Sequence, residues 1–454
     1  MSITTTPSDI SPVTAPLSLT PSARQGTASA TLAINELVAQ RRAAGHDTLH
    51  MGFGEASFPL HPTLHAALAD AATRTSYAPV LGLPALRQAI AAYLARTRQL
   101  DLSANSIIVA PGSKPLLYAL LQVLEGDLLL PTPSWVSYAP QARLAGKRVI
   151  GVATSPDDAH QLSAAALSAA LAQAHAAGAN PRILLVNSPS NPTGSMFSEA
   201  DVAALAGWAR ENGITLISDE IYAELAHGWR EHISPARFYP EGTIVTGGLS
   251  KAFSAGGWRL GYAALPATET GARLRAAIQA LASEIWSAAA TPIQQAACAA
   301  FTPDAEIEAY VRASARVHGE AAHRMHTTLV GLDITCPRPA GAFYLYPDFA
   351  SWRPTLAVRG IHTSEELARH LLDQWSIATL PGVAFGDPPD ALRLRLSVSM
   401  LYGPATAATG DEHEAALWRL LAQAGDERTP TSTLPLPLLD AACARWSEVA
   451  QALA

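Results

Sequence analysis

The sequence predicts an α/β chain: a large domain on a mainly parallel sheet flanked by helices, joined to a smaller α+β domain. Two observations carry this. Helix-period segments alternate with short apolar, β-rich runs as far as about residue 261, the pattern of strand–helix–strand units with right-handed crossovers. Beyond Gly261 the texture changes to long helices with few strands between them. A length of 454 residues, 49% hydrophobic and 15% charged, supplies the core that two such units need.

Taken in order, residues 1–31 are rich in Ser, Thr, Pro and Ala, lack a basic leader and are expected to form a disordered arm. Helices are expected at about 29–44, 62–74, 84–98, 115–124, 135–145, 162–177 and 198–211. Between them, β-rich runs at 107–110, 127–130, 148–153, 183–187, 215–219 and 243–246 read as strands. Helices at about 267–286 and 304–328 follow, then strands near 342–347 and 392–398 with a helix between. The Pro/Thr-rich stretch 426–437 reads as a linker into a last amphipathic helix ending at Ala454. This assigns 61–304 to the large domain, 32–60 plus 305–425 to the small one, and 426–454 to the linker and C-terminal helix.

With Lys+Arg at 31 against Asp+Glu at 38, the net charge of −7 offers no basic field, so nucleic acid is not an expected partner. No apolar run reaches the roughly 18 residues of a membrane span. The three cysteines, Cys298, Cys336 and Cys443, show no CxxC spacing, which suggests neither a disulfide framework nor a zinc knuckle and fits the reducing cytoplasm. Only Lys114, Lys147 and Lys251 are lysines, so amine chemistry has three candidates; arginine stays protonated and cannot serve.

Four runs carry chemistry. After the expected strand 243–246 comes Ser250-Lys251 among small residues, with Arg259 eight positions on. A lysine in a partly desolvated site loses its proton more easily and can attack a carbonyl; the plain alternative is a surface turn. At the end of the strand 215–219, Asp219 would point into the crevice where open α/β sheets bind ligands, with Tyr222 beside it, and could hold a protonated ring nitrogen or simply cap a helix. Asn187-Ser188-Pro189-Ser190-Asn191-Pro192-Thr193-Gly194 forms a rigid loop at the same edge, a ligand holder or an ordinary turn. Pro111-Gly112-Ser113-Lys114-Pro115 is a glycine turn into a helix start, leaving the Gly112, Ser113 and Lys114 amides free for an anion or serving only as a cap. Other signals fail: Gly52-Phe53-Gly54 lacks the third glycine of a dinucleotide fingerprint, and His61 and His65 are expected on a helix surface, not at a metal.

Together these runs resemble the fold-type I pyridoxal-phosphate-dependent aminotransferases of the aspartate aminotransferase class (class I/II). The similarity runs from about Gly54 to Arg395, and the pattern SKxFxxxGxRxGY is met in full from Ser250 to Tyr262. It implies an aspartate aminotransferase-like fold with a seven-stranded-type sheet, pyridoxal 5'-phosphate in the large domain, and transamination between an amino acid and a 2-oxo acid. It implies that Lys251 carries the cofactor as a Schiff base and moves the proton, that Asp219 pairs with the ring nitrogen, and that Tyr222 and Asn191 bind the ring oxygen. Trp135 would stack on the ring; Gly112, Ser113, Lys114, Ser250 and Arg259 would hold the phosphate. Tyr77 would reach the phosphate across a homodimer interface. Arg395, or alternatively Arg393, would bind the substrate carboxylate, with Gly54, Asn191 and Trp135 nearby.

The resemblance further implies cis peptide bonds before Pro133 and Pro192. The family's Gly-Glu-Pro-Asp-Phe run reads Gly54-Glu55-Ala56-Ser57-Phe58, so the lip of the substrate pocket is expected to differ, and Gly248 replaces a phosphate-binding serine of some relatives. Ser283 stands where dicarboxylate-specific relatives carry an arginine contributed by the partner subunit, and Glu284 beside it would repel a second carboxylate, so aspartate and glutamate are expected to be poorer donors unless Arg24, Arg41 or Arg42 substitutes. Other pyridoxal-phosphate reactions on amino acids (elimination, decarboxylation, specialised biosynthetic steps) and a non-catalytic cofactor-sensing role remain open on the same residues.

Overall fold

Runs of Ile, Leu and Val too apolar for one wet face must be covered on both sides, and in the computed structural model they build the centre of the molecule. The structure describes residues 29–228, 230–403 and 410–453. The large sheet has seven strands: β1 (Ile107–Ala110), β2 (Asp127–Thr132), β3 (Val149–Ala153), β4 (Pro181–Asn187), β5 (Thr215–Asp219), β6 (Thr243–Gly248) and β7 (Gly261–Ala264). Their order is β1-β7-β6-β5-β4-β2-β3, parallel except for β7, which runs antiparallel to both neighbours.

Six of these strands coincide with the expected runs. The seventh, β7, is short and holds Gly, Tyr and two Ala, which carry little strand propensity; pairing on both edges makes it a strand. Its first residue has to be glycine, because a Cβ on Gly261 would lie 2.3 Å from the Ser113 nitrogen. The helices fall close to their expected ranges, with Thr291–Phe301 and Asp411–Gly425 added. The peptide bonds before Pro133 and Pro192 are cis, as the resemblance implies, and so is the one before Pro189.

A three-stranded antiparallel sheet of Leu380–Pro381, Leu394–Ser397 and Tyr344–Leu345, and a parallel pair of Leu49–His50 with Ile377–Ala378, form a second layer beside the long helix Ala305–Gly331. No described helix is long and apolar enough to cross a membrane.

Three expectations change. Of the arm placed at 1–31, residues 1–28 lie outside the described residues, while Ser29 caps and Ala30 begins the helix Ala30–Ala43. His61 is not on a helix surface: it is buried at the N-cap, where Nδ1 accepts the Thr63 amide, and only His65 is exposed. The stretch read as a linker is packed. Arg316 donates to the carbonyls of Ala424, Asp426 (3.0 Å) and Thr429 (2.7 Å), and Arg324 to those of Ser432 (3.0 Å) and Leu434 (2.7 Å), so two guanidinium groups of the long helix satisfy its extended backbone.

The final helix, Pro437–Leu453, then buries Trp446 completely, its ring stacked on Phe349 with centroids 5.7 Å apart. Trp446→Ala should therefore cost about 3–5 kcal/mol of stability, the range for emptying a large core site. A denaturant midpoint unchanged from the wild type would show the helix is not part of the cooperative core.

Candidate active site

Parallel strands bring their C-terminal ends to one edge, and the turns leaving β1, β2, β4, β5 and β6 deliver side chains there. They enclose a cavity of about 490 Å³. Gly54, Ser113, Lys114, Trp135, Asn191, Asp219, Tyr222, Ser250, Lys251, Arg259 and Arg395 all line it. Gly112 stands just outside and Tyr77 is far from it, 97% exposed.

Lys251 follows β6 in a tight turn and is half-buried; Nζ donates to the Gly54 carbonyl at 2.5 Å and lies 5.7 Å from the centre of the Tyr222 ring. Burial, partly offset by Glu55, lowers its pKa to about 8. About a tenth of the amine is thus free at pH 7, and about half at pH 8. Asp219, at the end of β5, is 3% exposed. Its Oδ2 accepts from the Tyr138 hydroxyl (2.8 Å) and its Oδ1 from Thr246 Oγ1 (3.1 Å). Burial raises its pKa to about 6 against the pull of those two donors. Tyr222 shares a 2.8 Å hydrogen bond with Tyr344, and burial holds its phenol well above the usual range.

The helix Ser113–Val123 opens at this edge with no side-chain cap, leaving the Ser113 and Lys114 amides without intrahelical acceptors. The Gly112 amide, expected free, instead donates to the Ala110 carbonyl at 2.7 Å. Gly112 serves by shape: at φ +96° it bends the turn, and a Cβ there would meet Arg259 Nη2 at 2.6 Å. Arg259 and the helix start thereby face the same corner, a combination that suits an anion.

Trp135 stands edge-to-face with Tyr138, and Lys114 Nζ lies 5.0 Å from its ring centre. Burial and Arg259 lower the Lys114 pKa. Of the two small-domain arginines, Arg395 is 1% exposed, donates to the Gly52 carbonyl at 2.5 Å and keeps a buried Nε without a partner, whereas Arg393 is spent on Asp348 (2.8 Å) and Asp387 (3.2 Å). In the departing run, Phe53, Gly54 and Glu55 line the cavity while Ala56 and Ser57 turn away from it.

Sequence reasoning gave no role to Tyr138, Thr246, Tyr344 or Glu55. Tyr138 and Tyr344 stood inside an expected helix and an expected strand, but which distant residue such a side chain meets is not written in a local pattern. Ser29, Thr31 and Leu32, at the start of the first described helix, also line the cavity and carry no sequence signal at all.

The family model for aminotransferase class I and II matches residues 47–401. Aspartate aminotransferase of Geobacillus stearothermophilus is 36% identical over 383 residues, covering 82% of this chain and 93% of its own. That of Bacillus subtilis is 33% identical over 392 residues, with the same coverage. Among solved structures, aspartate aminotransferase from Thermus thermophilus with maleate superposes with a TM-score of 0.77 at 29% identity, over 89% of this chain and 99% of that one. An aromatic aminotransferase from Pyrococcus horikoshii gives a TM-score of 0.70 at 27% identity, over 87% and 100%. An edge that gathers an amine, a buried carboxylate and an anion corner is thus shared with enzymes of one activity, and the chain belongs to aminotransferase class I and II, catalysing pyridoxal-phosphate-dependent transamination.

Proposed function

We propose that this chain moves the amino group of a dicarboxylic amino acid such as aspartate to a 2-oxo acid, with pyridoxal phosphate held at Lys251. The observation that carries the reading is the convergence of Lys251, Asp219 and Arg395 on one cavity. The residues fit the cofactor. Gly112 leaves room for Arg259 beside two free amides, which suits a phosphate; Asp219 is a buried acid able to face a ring nitrogen; and Asn191 lines the cavity with a side-chain amide able to donate to a ring oxygen.

When bound, pyridoxal phosphate supplies an electron-accepting ring for the pair left when the substrate Cα loses its proton. This chain does the rest. Lys251 Nζ would hold the cofactor and, once freed by the substrate's own amine, would take the proton from the substrate Cα, work for which a pKa near 8 suits it. Asp219, ionised once a cationic ring nitrogen faces it, holds that nitrogen protonated. Tyr222 and Asn191 address the ring oxygen, Trp135 covers a ring face, and Ser113, Lys114, Ser250 and Arg259 grip the phosphate. Arg395 presents Nε and Nη to the substrate carboxylate as a fork.

The choice of donor follows from Lys114. Its ammonium faces the cavity beside Trp135, with no carboxylate paired to it among the described residues, and offers a partner to a distal carboxylate. Ser283, on which the expectation of poor aspartate use rests, is an exposed residue bonded to the Ala280 carbonyl and to Glu284; it is expected to act in the partner subunit's site, and Lys114 is read here as supplying the charge that Ser283 does not. The names of the curated relatives, aspartate aminotransferases, support the same choice. A homodimer completes the reading: Tyr77, 97% exposed, and the exposed apolar Leu144 and Ile285 ask for a partner surface. Three unpaired cysteines fit the cytoplasm.

Borohydride reduction of the holoenzyme followed by peptide mapping should label Lys251; label on Lys114 or Lys147 would refute the assignment. Lys251→Ala should retain cofactor through the phosphate corner while turnover falls beyond the roughly 10²–10⁴-fold of lost acid–base catalysis. In Lys114→Met, kcat/KM for aspartate should fall about 10- to 150-fold, the ~1.5–3 kcal/mol of a charged hydrogen bond, with leucine little affected. Equal losses for both donors would remove Lys114 from substrate selection. Because burial lowers the Lys251 pKa to about 8, the neutral amine grows as pH rises toward that value. The rate at which cofactor-free protein captures pyridoxal phosphate should accordingly climb from pH 6 and level off above about 8; a flat stopped-flow profile would contradict it.

A further inference from the structure

We propose that His160 is a positioning residue that, through one buried water, turns the amide of Asn191 toward the cofactor. The inference rests on the transaminase reading of the main cavity. Behind that cavity lies a second one of about 30 Å³, walled in part by Tyr138, His160, Asn187 and Asn191, and Asn191 borders both. Space of that size holds one water.

His160 and Ala159 before it both adopt left-handed backbone (φ 58° and 49°), and the His160 ring is buried edge-on against Tyr346, with centroids 5.6 Å apart. Its protonation pattern follows from Thr154. The Thr154 hydroxyl lies 2.8 Å from the Thr132 carbonyl, a spacing two oxygens take only with a proton between them, so its single proton goes there. The same hydroxyl is 3.0 Å from His160 Nδ1 and must therefore accept from it. Nδ1 carries the ring proton and Nε2 is a bare acceptor. Burial lowers the ring's pKa to about 4, so it stays neutral at working pH.

His160 Nε2 is buried with no partner among the described residues, and so is Asn191 Oδ1. Two acceptors cannot satisfy each other, and leaving both bare is costly. A water brings two donors and answers both at once. With Oδ1 engaged, Asn191 is left with its NH₂ for the main cavity, where it can donate to the ring oxygen. A flipped amide would set oxygen against oxygen.

High-resolution crystals of the holoenzyme should show one water within hydrogen-bond reach of both His160 Nε2 and Asn191 Oδ1, and an empty cavity would overturn the proposal. His160→Phe keeps a ring against Tyr346 but offers no acceptor. The visible band of its bound cofactor should titrate about one pH unit higher, a tenfold change in proton affinity, because the ring oxygen loses its donor. A role confined to packing would lower the melting temperature and leave that titration in place, so a folded variant titrating like the wild type would also overturn the proposal. If the variant does not fold, the wild-type crystals still decide. Failure of the transaminase reading shows separately, as a wild type with no visible band.

Discussion

A carboxylate taken out of water at the end of β5 is the constraint around which the site is arranged. An isolated buried carboxylate is costly enough that it would neutralise itself, and the pKa of about 6 at Asp219 shows the pull in that direction. The surroundings are spent on resisting it. Tyr138 donates from the turn after β2, Thr246 from β6 and Asn187, at the end of β4, to the Asp219 carbonyl at 2.8 Å. Asn187 in turn accepts the Asn191 amide at 2.8 Å, so the loop carrying Asn191 is registered against the same residue. The turns after β2 and β4, and strand β6 itself, are thus tied to one residue, and a cation placed against the Asp219 carboxylate completes its balance.

The next residue shows how the same burial is handled when no ligand is wanted. Glu220 is as buried as Asp219, and burial alone would raise its pKa, yet it lies below the usual carboxylate range. His232 Nε2 at 3.1 Å, Arg98 Nε at 3.3 Å and the Ser234 hydroxyl at 2.6 Å outweigh the burial. Arg98 also binds Glu224, which accepts from Tyr93, so an ion network closes behind the site. Removing one partner of such a pair costs about 3–5 kcal/mol, because the other charge stays buried. Adjacent acids therefore face opposite ways: Glu220 is satisfied by Arg98 and its neighbours and fixes the strand end, while Asp219 is given only neutral donors and keeps its charge available.

How much of this was legible depends on whether the cause was local. Six of the seven strands announce themselves because each is a short, β-rich apolar run set between helix-period segments, and the lysine turn because small residues, an arginine and a strand fall in a fixed spacing. β7 did not, since only its two neighbours make Gly261–Ala264 extended. The Pro/Thr-rich stretch read as a tether because nothing in it reveals that Arg316 and Arg324, a hundred residues earlier, accept its carbonyls as partners. Tyr138 stabilises Asp219 across 81 positions of chain, a pairing that only the folded turn creates. The lysine turn was readable as a motif; the residues that pack around Asp219 were not.

The departure at Ala56-Ser57 shows how a local difference is absorbed without touching the chemistry. Met51 accepts the Ser397 amide at 2.8 Å, and the Ser57 hydroxyl donates to the Ser399 carbonyl at 2.6 Å, so residues 51–57 are stitched along the strand that carries Arg395. Within that segment the Gly52 carbonyl receives Arg395 and the Gly54 carbonyl receives Lys251. Side chains at these positions would collide, at Gly54 with the Tyr344 hydroxyl at 2.0 Å and at Gly52 with Ile34 at 2.8 Å. The segment has to be thin where it meets the two cations and can vary where it turns away. Ala56 is buried in the core and Ser57 anchors to backbone, so replacing proline and aspartate there changes how the segment is fastened, while the distance it sets between Arg395 and Lys251 is kept by the glycines.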